Sequence, residues 1–354
     1  MKRRGFLGLS AATIATMASG NVLPQGSPND LAAAVEKLAG LLANGYVYPA
    51  IGARYAAMLR HNLANGAYAG IIDTASLGAR LTADLRAVSP DLHLRVVPAS
   101  PVAGGRSGPA PMHEAPAHPD ASGGPKPMAG PIRRTPIEDT AWLAKSIAYI
   151  RFTGFPGDPE TVRTVADFMR AHIRATTLVI DCRYNGGGGL AEMNVMLPYL
   201  FARETLLVEM EMQQAIFAAR GSPFDGEDGV RSAAAPAGMI RRAHWVTPVP
   251  DATPLRSAKI FYLVSGRTAS AAEHLALALK RTKRAILIGE TTAGANHFGD
   301  FQPIGAGLAV FLPVGRTIDP DTGKDWEGVG VAPDVAVPPA QALEEAMRRA
   351  GALA

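Results

Sequence analysis

The sequence predicts an α/β protein whose main sheet is preceded by a small helical bundle, and three observations carry that expectation. Apolar runs of strand length, Thr177 to Cys182, Lys259 to Val264 and Ala285 to Ile288, alternate with helical patterns, the signature of a sheet built from βα units. Two of these runs end in turns of small residues, Asn185-Gly186-Gly187-Gly188-Gly189 and Ser265 to Ser270. Upstream, residues 27–97 carry a 3.6-residue apolar period instead.

Residues 1–20 are read as an export signal rather than as fold. Paired arginines, Arg3-Arg4, precede a short apolar stretch from Phe6 to Met17 and the small residues Ala18-Ser19-Gly20. The arginine pair resembles the twin-arginine type, and the apolar stretch is too short to span a bilayer. The mature protein is therefore expected in the periplasm or outside the cell, without stable membrane insertion.

Ser27-Pro28-Asn29-Asp30 is a helix start, followed by the stripe Leu31, Val35, Leu38 and Leu42 and a stop at Gly45. A second helix is expected from Ile51 to Asn65 and a third from Ala75 to Val88, with Leu77, Leu81, Leu85 and Val88 inward. A strand over Leu94 to Val97 closes this first domain. From Pro98 to Pro136 proline, glycine, alanine and serine dominate, as in a linker or surface loop. His113, Glu114, His118 and Asp120 fall there without a scaffold to fix metal geometry.

The second domain is expected over 140–350. Its strands are Ile147 to Phe152, Thr177 to Cys182, Leu206 to Met212, Lys259 to Val264, Ala285 to Ile288 and Leu308 to Pro313. Helices are expected from Asp158-Pro159 to Ile173, from the glycine turn to Phe201, after Thr268 to Glu273, and over Gln341 to Arg349. Ala218 to Pro254 reads as a long polar excursion. The net charge of +4 comes from scattered arginines, with no basic and aromatic interleaving that suggests nucleic acid. The one cysteine, Cys182, rules out an internal disulfide and reads as a small buried hydrophobe. Neither a metal nor a cofactor is called for.

Four consecutive glycines at a strand end are costly in chain entropy, so the backbone there meets a special need. A nucleotide-cradling loop lacks its Gly-Lys-Ser/Thr ending; an oxyanion hole beside a serine fits better. Ser270, on a strand-to-helix turn, is either a helix cap or a nucleophile whose oxyanion meets the next amide and the helix dipole.

These segments carry a resemblance. Asp181-Cys182-Arg183-Tyr184-Asn185-Gly186-Gly187-Gly188, Thr268 to Glu273, Gly289-Glu290-Thr291-Thr292 with Gly294, and Trp326 to Val331 with Pro333-Asp334 are similar, in order, to the motifs of tail-specific (C-terminal processing) serine proteases. The resemblance implies a crotonase-like core and peptide hydrolysis. Ser270 would be the nucleophile, with the Ala271 amide and that of Gly186 or Gly187 binding the oxyanion. Where many family members place a catalytic lysine, this chain has Ala295-Asn296, and Lys280 and Lys283 read as solvated helix-end charges. The departure points to the branch that resembles the tricorn core and the interphotoreceptor retinoid-binding protein. In that branch the base matches His93 and the orienting acid Glu327; Leu92 stands where the pattern has serine, and Asp91 is a substitute for it. His297 is the competing base. The implied partner is a protein or peptide, trimmed near its C-terminus. A second reading is a non-catalytic carrier of an apolar ligand on the same core. A third, an acyl-coenzyme A enzyme, conflicts with export.

Overall fold

The computed structural model describes residues 28–99, 135–251 and 253–353. The expected signal, and nearly all of the expected linker with His113 and His118, lie outside them. The N-terminal region holds α1 (Pro28–Gly45), α2 (Pro49–Ala64), α3 (Thr74–Val88) and β1 (Arg95–Pro98). Next come β2 (Ile137–Ala144), β3 (Ile147–Phe152), α4 (Pro159–Ala171), β4 (Thr177–Asp181) and α5 (Ala191–Met196). They are followed by β5 (Thr205–Gln213), α6 (Gln214–Arg220), β6 (Val230–Ala233), β7 (Met239–Val246) and β8 (Lys259–Val264). The chain then forms α7 (Ala271–Arg281), β9 (Ile286–Gly289), β10 (Phe298–Gly305), β11 (Leu308–Ile318), β12 (Val335–Ala336) and α8 (Ala342–Ala350). The protein is thus mixed α/β.

One sheet has the order β12-β9-β8-β4-β3-β2, parallel throughout except at β2. Its strands alternate as a sheet covered on both faces requires. Ile150, Leu178, Ile180 and Tyr262 pack with Val165, Phe168, Met193, Leu275 and Leu279 of the helices. Tyr149, Val179, Phe261 and Leu263 face Ala342 and Ala346 of α8 instead. The other sheet has the order β1-β11-β5-β7-β6, with β10 also on β11, and is antiparallel at every pair.

The three N-terminal helices do not close on themselves. Leu38, Leu42, Tyr55, Leu59 and Leu81 share one apolar core with Leu308, Val310 and Leu312 of β11. At about 2 kcal/mol per buried leucine, this shared core ties the helices to the second sheet. Residues 218–254, expected as an irregular excursion, contain β6 and β7, with β7 paired along β5 from Thr205 to Gln213. The arginines of Met239–Val246 masked its strand character; Arg241 is matched by Glu209 and Glu211 across the ladder. The helix expected to reach Phe201 ends at Met196 and tightens into a 3₁₀ turn at Leu197–Tyr199, where Pro198 supplies no amide hydrogen. β2 and β10 have no counterpart in the expectation.

Candidate active site

β4 and β8 are parallel neighbours with Asp181 level with Leu263, so the chain leaves both at the same end of the sheet. Crevices beyond the carboxyl ends of such strands are where α/β folds place their ligands. At the exit of β4, the fully buried Asp181 holds Arg183 through Nε at 2.9 Å and Nη2 at 2.6 Å, and accepts from the Tyr149 hydroxyl at 2.8 Å. That bidentate pair fixes the start of the glycine turn. The turn after β8 is stitched to it. Thr268 Oγ1 donates to the Cys182 carbonyl at 2.8 Å, the Ala269 amide to the Asn185 carbonyl at 3.0 Å, and the Ser265 hydroxyl to the Arg183 carbonyl. Cys182 is itself buried, and burial pushes its thiol up to about 12.

Ser270 sits immediately before α7 with φ 56° and ψ −122°, a conformation that a residue with a side chain rarely adopts. A strained serine between strand and helix is the geometry of a nucleophile elbow. The strain is held by Glu273, whose fully buried carboxylate accepts the Ser270 amide at 2.9 Å. The same carboxylate accepts Thr292 Oγ1 at 2.5 Å and the amides of Gly294 and Ala295 at 2.7 and 2.9 Å. Burial raises its pKa, against the hydrogen bonds it receives. Ser-x-x-Glu is legible in the sequence as a capping box; its second role, clamping the 292–295 loop beside Ser270, is not.

The glycine turn presses on the serine. A methyl group added to Gly187, whose φ is +100°, would lie 2.6 Å from the Ser270 Cβ and 3.1 Å from the Ala271 nitrogen. Only glycine permits that approach. The amides expected to form an oxyanion hole are placed as follows. Gly186 donates to the Thr153 carbonyl at 3.2 Å, and Gly187 to Asn185 Oδ1 at 2.8 Å. Neither Gly188 nor Ala271 donates to an acceptor among the described residues.

An acid–imidazole cluster joins the turn after α3 to the segment that follows the loop held by Glu273. Asp91, in the turn after α3, accepts from the His93 and Leu94 amides at 2.8 and 3.1 Å on one oxygen. On the other it accepts from the Tyr46 hydroxyl and from His297 Nδ1, each at 2.8 Å. His297 Nε2 is buried without a partner among the described residues. Glu327 Oε2 accepts the Asn296 and His297 amides at 2.6 and 3.2 Å and lies 3.7 Å from His297 Nδ1. His93 stacks 5.4 Å from the Phe311 ring, with its Nδ1 buried and without a partner among the described residues. Asp91, His93 and Glu327 each offer an atom within 4.8 Å of the others, as a metal would need, but the two carboxylates already accept amide hydrogens.

The two imidazoles are tuned in opposite directions. Burial pushes His93 down to about 4, with the charge of Arg95 adding to it. Burial opposes protonation of His297 too, but its hydrogen bond to Asp91 and the charges of Asp91 and Glu327 prevail and raise it. Asp91 stays below the ordinary carboxylate range: its burial is outweighed by the His297 bond and charge. Glu327, half-buried, is pushed up to about 7 by desolvation first and then by the Asp91 charge. The pairing of Asp91 with His297 spans 206 residues and has no local signal, although Ser89-Pro90-Asp91 is a plain side-chain turn signal. Lys280, read as a solvated charge, donates to the Ala332 carbonyl at 2.6 Å and pairs with Asp334 at 3.4 Å, away from the cluster.

A strained serine between strand and helix, bare backbone amides beside it and a buried imidazole held by a carboxylate are the parts that serine-type peptidases use. More particularly, the chain belongs to peptidase family S41, whose model matches residues 146–337, and residues 28–123 match the N-terminal domain of peptidase S41 in eukaryotic IRBP. The chloroplastic carboxyl-terminal-processing peptidase 1 of Arabidopsis thaliana is 35% identical over 88 residues, 25% of this chain and 18% of that protein. Peptidase 3 of the same plant is 29% identical over 194 residues, 54% of this chain and 32% of that protein. The chain thus spans a third or less of the length of these curated relatives. The tricorn protease crystal structure shares the fold at a TM-score of 0.50 and 14% identity, covering 90% of this chain and 35% of that one.

Proposed function

We propose that the protein is an exported serine endopeptidase acting on protein or peptide substrates, with Ser270 as nucleophile on a crotonase-like core. The observation that carries the reading is the strained Ser270 backbone, held by Glu273 and pressed by Gly187 at the shared exit of β4 and β8. In this reading the Ser270 hydroxyl attacks the scissile carbonyl while an imidazole takes its proton. The amides of Gly188 and Ala271 receive the oxyanion, since that of Gly186 is engaged by the Thr153 carbonyl and that of Gly187 by Asn185 Oδ1. The imidazole then returns the proton to the leaving amine.

Of the two histidines, His297 is the better base. Its Nδ1 is fixed by a buried carboxylate while Nε2 stays bare, the division of labour a general base needs. Of the pair implied by the tricorn-like pattern, Glu327 adds to the Asp91 charge that raises the His297 proton affinity, while His93, pushed down to about 4 by burial, stays neutral near pH 7. Processing near C-termini follows the names of the plant relatives and remains part of the proposal. Export rests on the Arg3-Arg4 segment, and no helix among the described residues is long and apolar enough to cross a membrane. Incubation of the purified full chain with denatured casein tests the activity. Release of peptides by the natural sequence and none by Ser270→Ala is expected; equal release by both would end the proposal.

A further inference from the structure

Among the described residues, the partly buried arginines are neutralised or capped, with one exception. Arg241 holds Glu209 and Glu211, Arg316 holds Glu211 and Asp325, and Arg281 holds Asp319 and Asp321. Arg284 rests instead on the carbonyls of Leu200, Leu255 and Ala258. Arg95 has neither kind of support. Its guanidinium reaches no carboxylate among the described residues and makes one long hydrogen bond, from Nη1 to the His93 carbonyl at 3.3 Å.

The surroundings of Arg95 leave it suited to a planar anion. β1 sets it opposite Phe311, and Phe311 pairs with Phe301 on the other side. The guanidinium lies 5.3 Å from the centre of each ring. Rings engage the face of such a cation, leaving its N–H edge for an in-plane, two-point partner. Burial and the neighbouring Arg86 charge lower its pKa and outweigh the pull of Asp91, so it is a cation held in an unfavourable place. It stands two residues from His93, beside the cluster assigned to acid–base chemistry.

We propose that Arg95 is an anion subsite of the peptidase, receiving a carboxylate of the bound peptide through the edge of its guanidinium. The inference rests on the reading of Ser270 as a peptidase nucleophile. The carboxylate comes from the substrate's free C-terminus or from an aspartate or glutamate side chain. Either would form a charge-assisted pair in a place sheltered from water.

The test uses immobilised full-length protein carrying Ser270→Ala, offered a random decapeptide pool as free acids and again as carboxamides, with retained peptides quantified by mass spectrometry. Free acids should be retained at least about tenfold better than carboxamides, the ratio expected for one charged hydrogen-bonded pair. Adding Arg95→Gln should bring the ratio within about twofold, and Arg95→Lys should restore part of it, since the charge returns without the fork. A structural fault would weaken both pools alike and leave the ratio alone. Enrichment of Asp and Glu among retained carboxamides, lost with Arg95→Gln, assigns the subsite to side-chain carboxylates. Equal retention without acidic enrichment, or a preference that survives Arg95→Gln, overturns the proposal. Fluorophosphonate labelling of the natural chain, run in parallel, separates the two levels: labelling of Ser270 with no Arg95 dependence sinks only the subsite, whereas no labelling sinks the peptidase reading itself.

Discussion

Gly187→Ala is the sharpest perturbation of the site. The new methyl group would begin 2.6 Å from the Ser270 Cβ and 2.9 Å from the Ala269 carbonyl oxygen. Ordinary carbon contacts lie at about 3.5–4.0 Å, so Ser270 or the glycine turn must move by about 1 Å. A displacement of that size at a reacting group costs on the order of a hundredfold in rate. The stability cost has two parts, about 1–2 kcal/mol for a side chain at φ +100° and about 1–3 kcal/mol for overpacking. Melting should fall by roughly 5–10 °C, at about 2 °C per kcal/mol for a chain of this size. Gly66→Ala is the control, because its φ is +70° but nothing lies within 4 Å of the added carbon. It should lose only the conformational part, about 1 kcal/mol, and label at the natural rate. The assay is the pseudo-first-order rate of fluorophosphonate labelling beside a thermal melt. If Gly187→Ala labels within about threefold of the natural protein, the glycine turn does not shape the nucleophile and the reasoning fails.

Three further outcomes follow from the buried charges. With His297 as base, its raised pKa puts the acid limb of the labelling profile above its ordinary 6.5, whereas a limb near 4 would assign the base to His93. Stability should fall on acidification, as read by melting temperature between pH 7 and pH 4. His93 and His244 are both pushed down to about 4 by burial, so the unfolded chain takes up their protons first as pH drops below about 6.5. Each contributes on the order of 3 kcal/mol over that window. His274, hydrogen-bonded to His244 at 2.8 Å and also lowered by burial, adds in the same sense. His297 opposes, its stabilisation being present in acid and lost as pH rises through its raised pKa, and so do Glu327 and Glu273, whose raised carboxyls bind protons in the folded chain before the unfolded one; the three lowered imidazoles are expected to prevail, and a melting temperature flat from pH 6.5 to 4.5 would refute that balance. Glu273→Ala leaves four buried donors without their acceptor. It should cost about 3 kcal/mol or more and abolish labelling, while Glu273→Gln, which keeps one oxygen, should melt higher than Glu273→Ala. Equal melting of the two variants would contradict that role.

How much of this was legible depends on the range of the interaction that decides each feature. The first three helices could be read to within two residues because Pro28, Gly45, Gly66 and Ser89 punctuate a clean apolar stripe. The buried parallel strands were equally plain, being continuous apolar runs. β7 was not, since Arg241, Arg242 and His244 are satisfied by Glu209, Glu211, Asp225 and Asn194 from distant segments, and no local pattern announces such partners. β10 alternates weakly and contains Gly299 and Pro303, which read as breakers until β11 supplies a register with irregularities at both places. At the site, Ser270 and the glycine turn stood out by local chemistry. The clamp of Glu273 on Gly294 and Ala295, and the pairing of Asp91 with His297, join segments that only the fold brings together.

The account turns on whether the Ser270 oxygen is an activated nucleophile. Intact-mass and peptide mapping of the natural chain after exposure to a fluorophosphonate should find one adduct, on Ser270, which a Ser270→Ala chain fails to form and a His297→Gln chain forms at least about a hundredfold more slowly. An unmodified Ser270 in a folded chain, or a rate indifferent to His297, would contradict it.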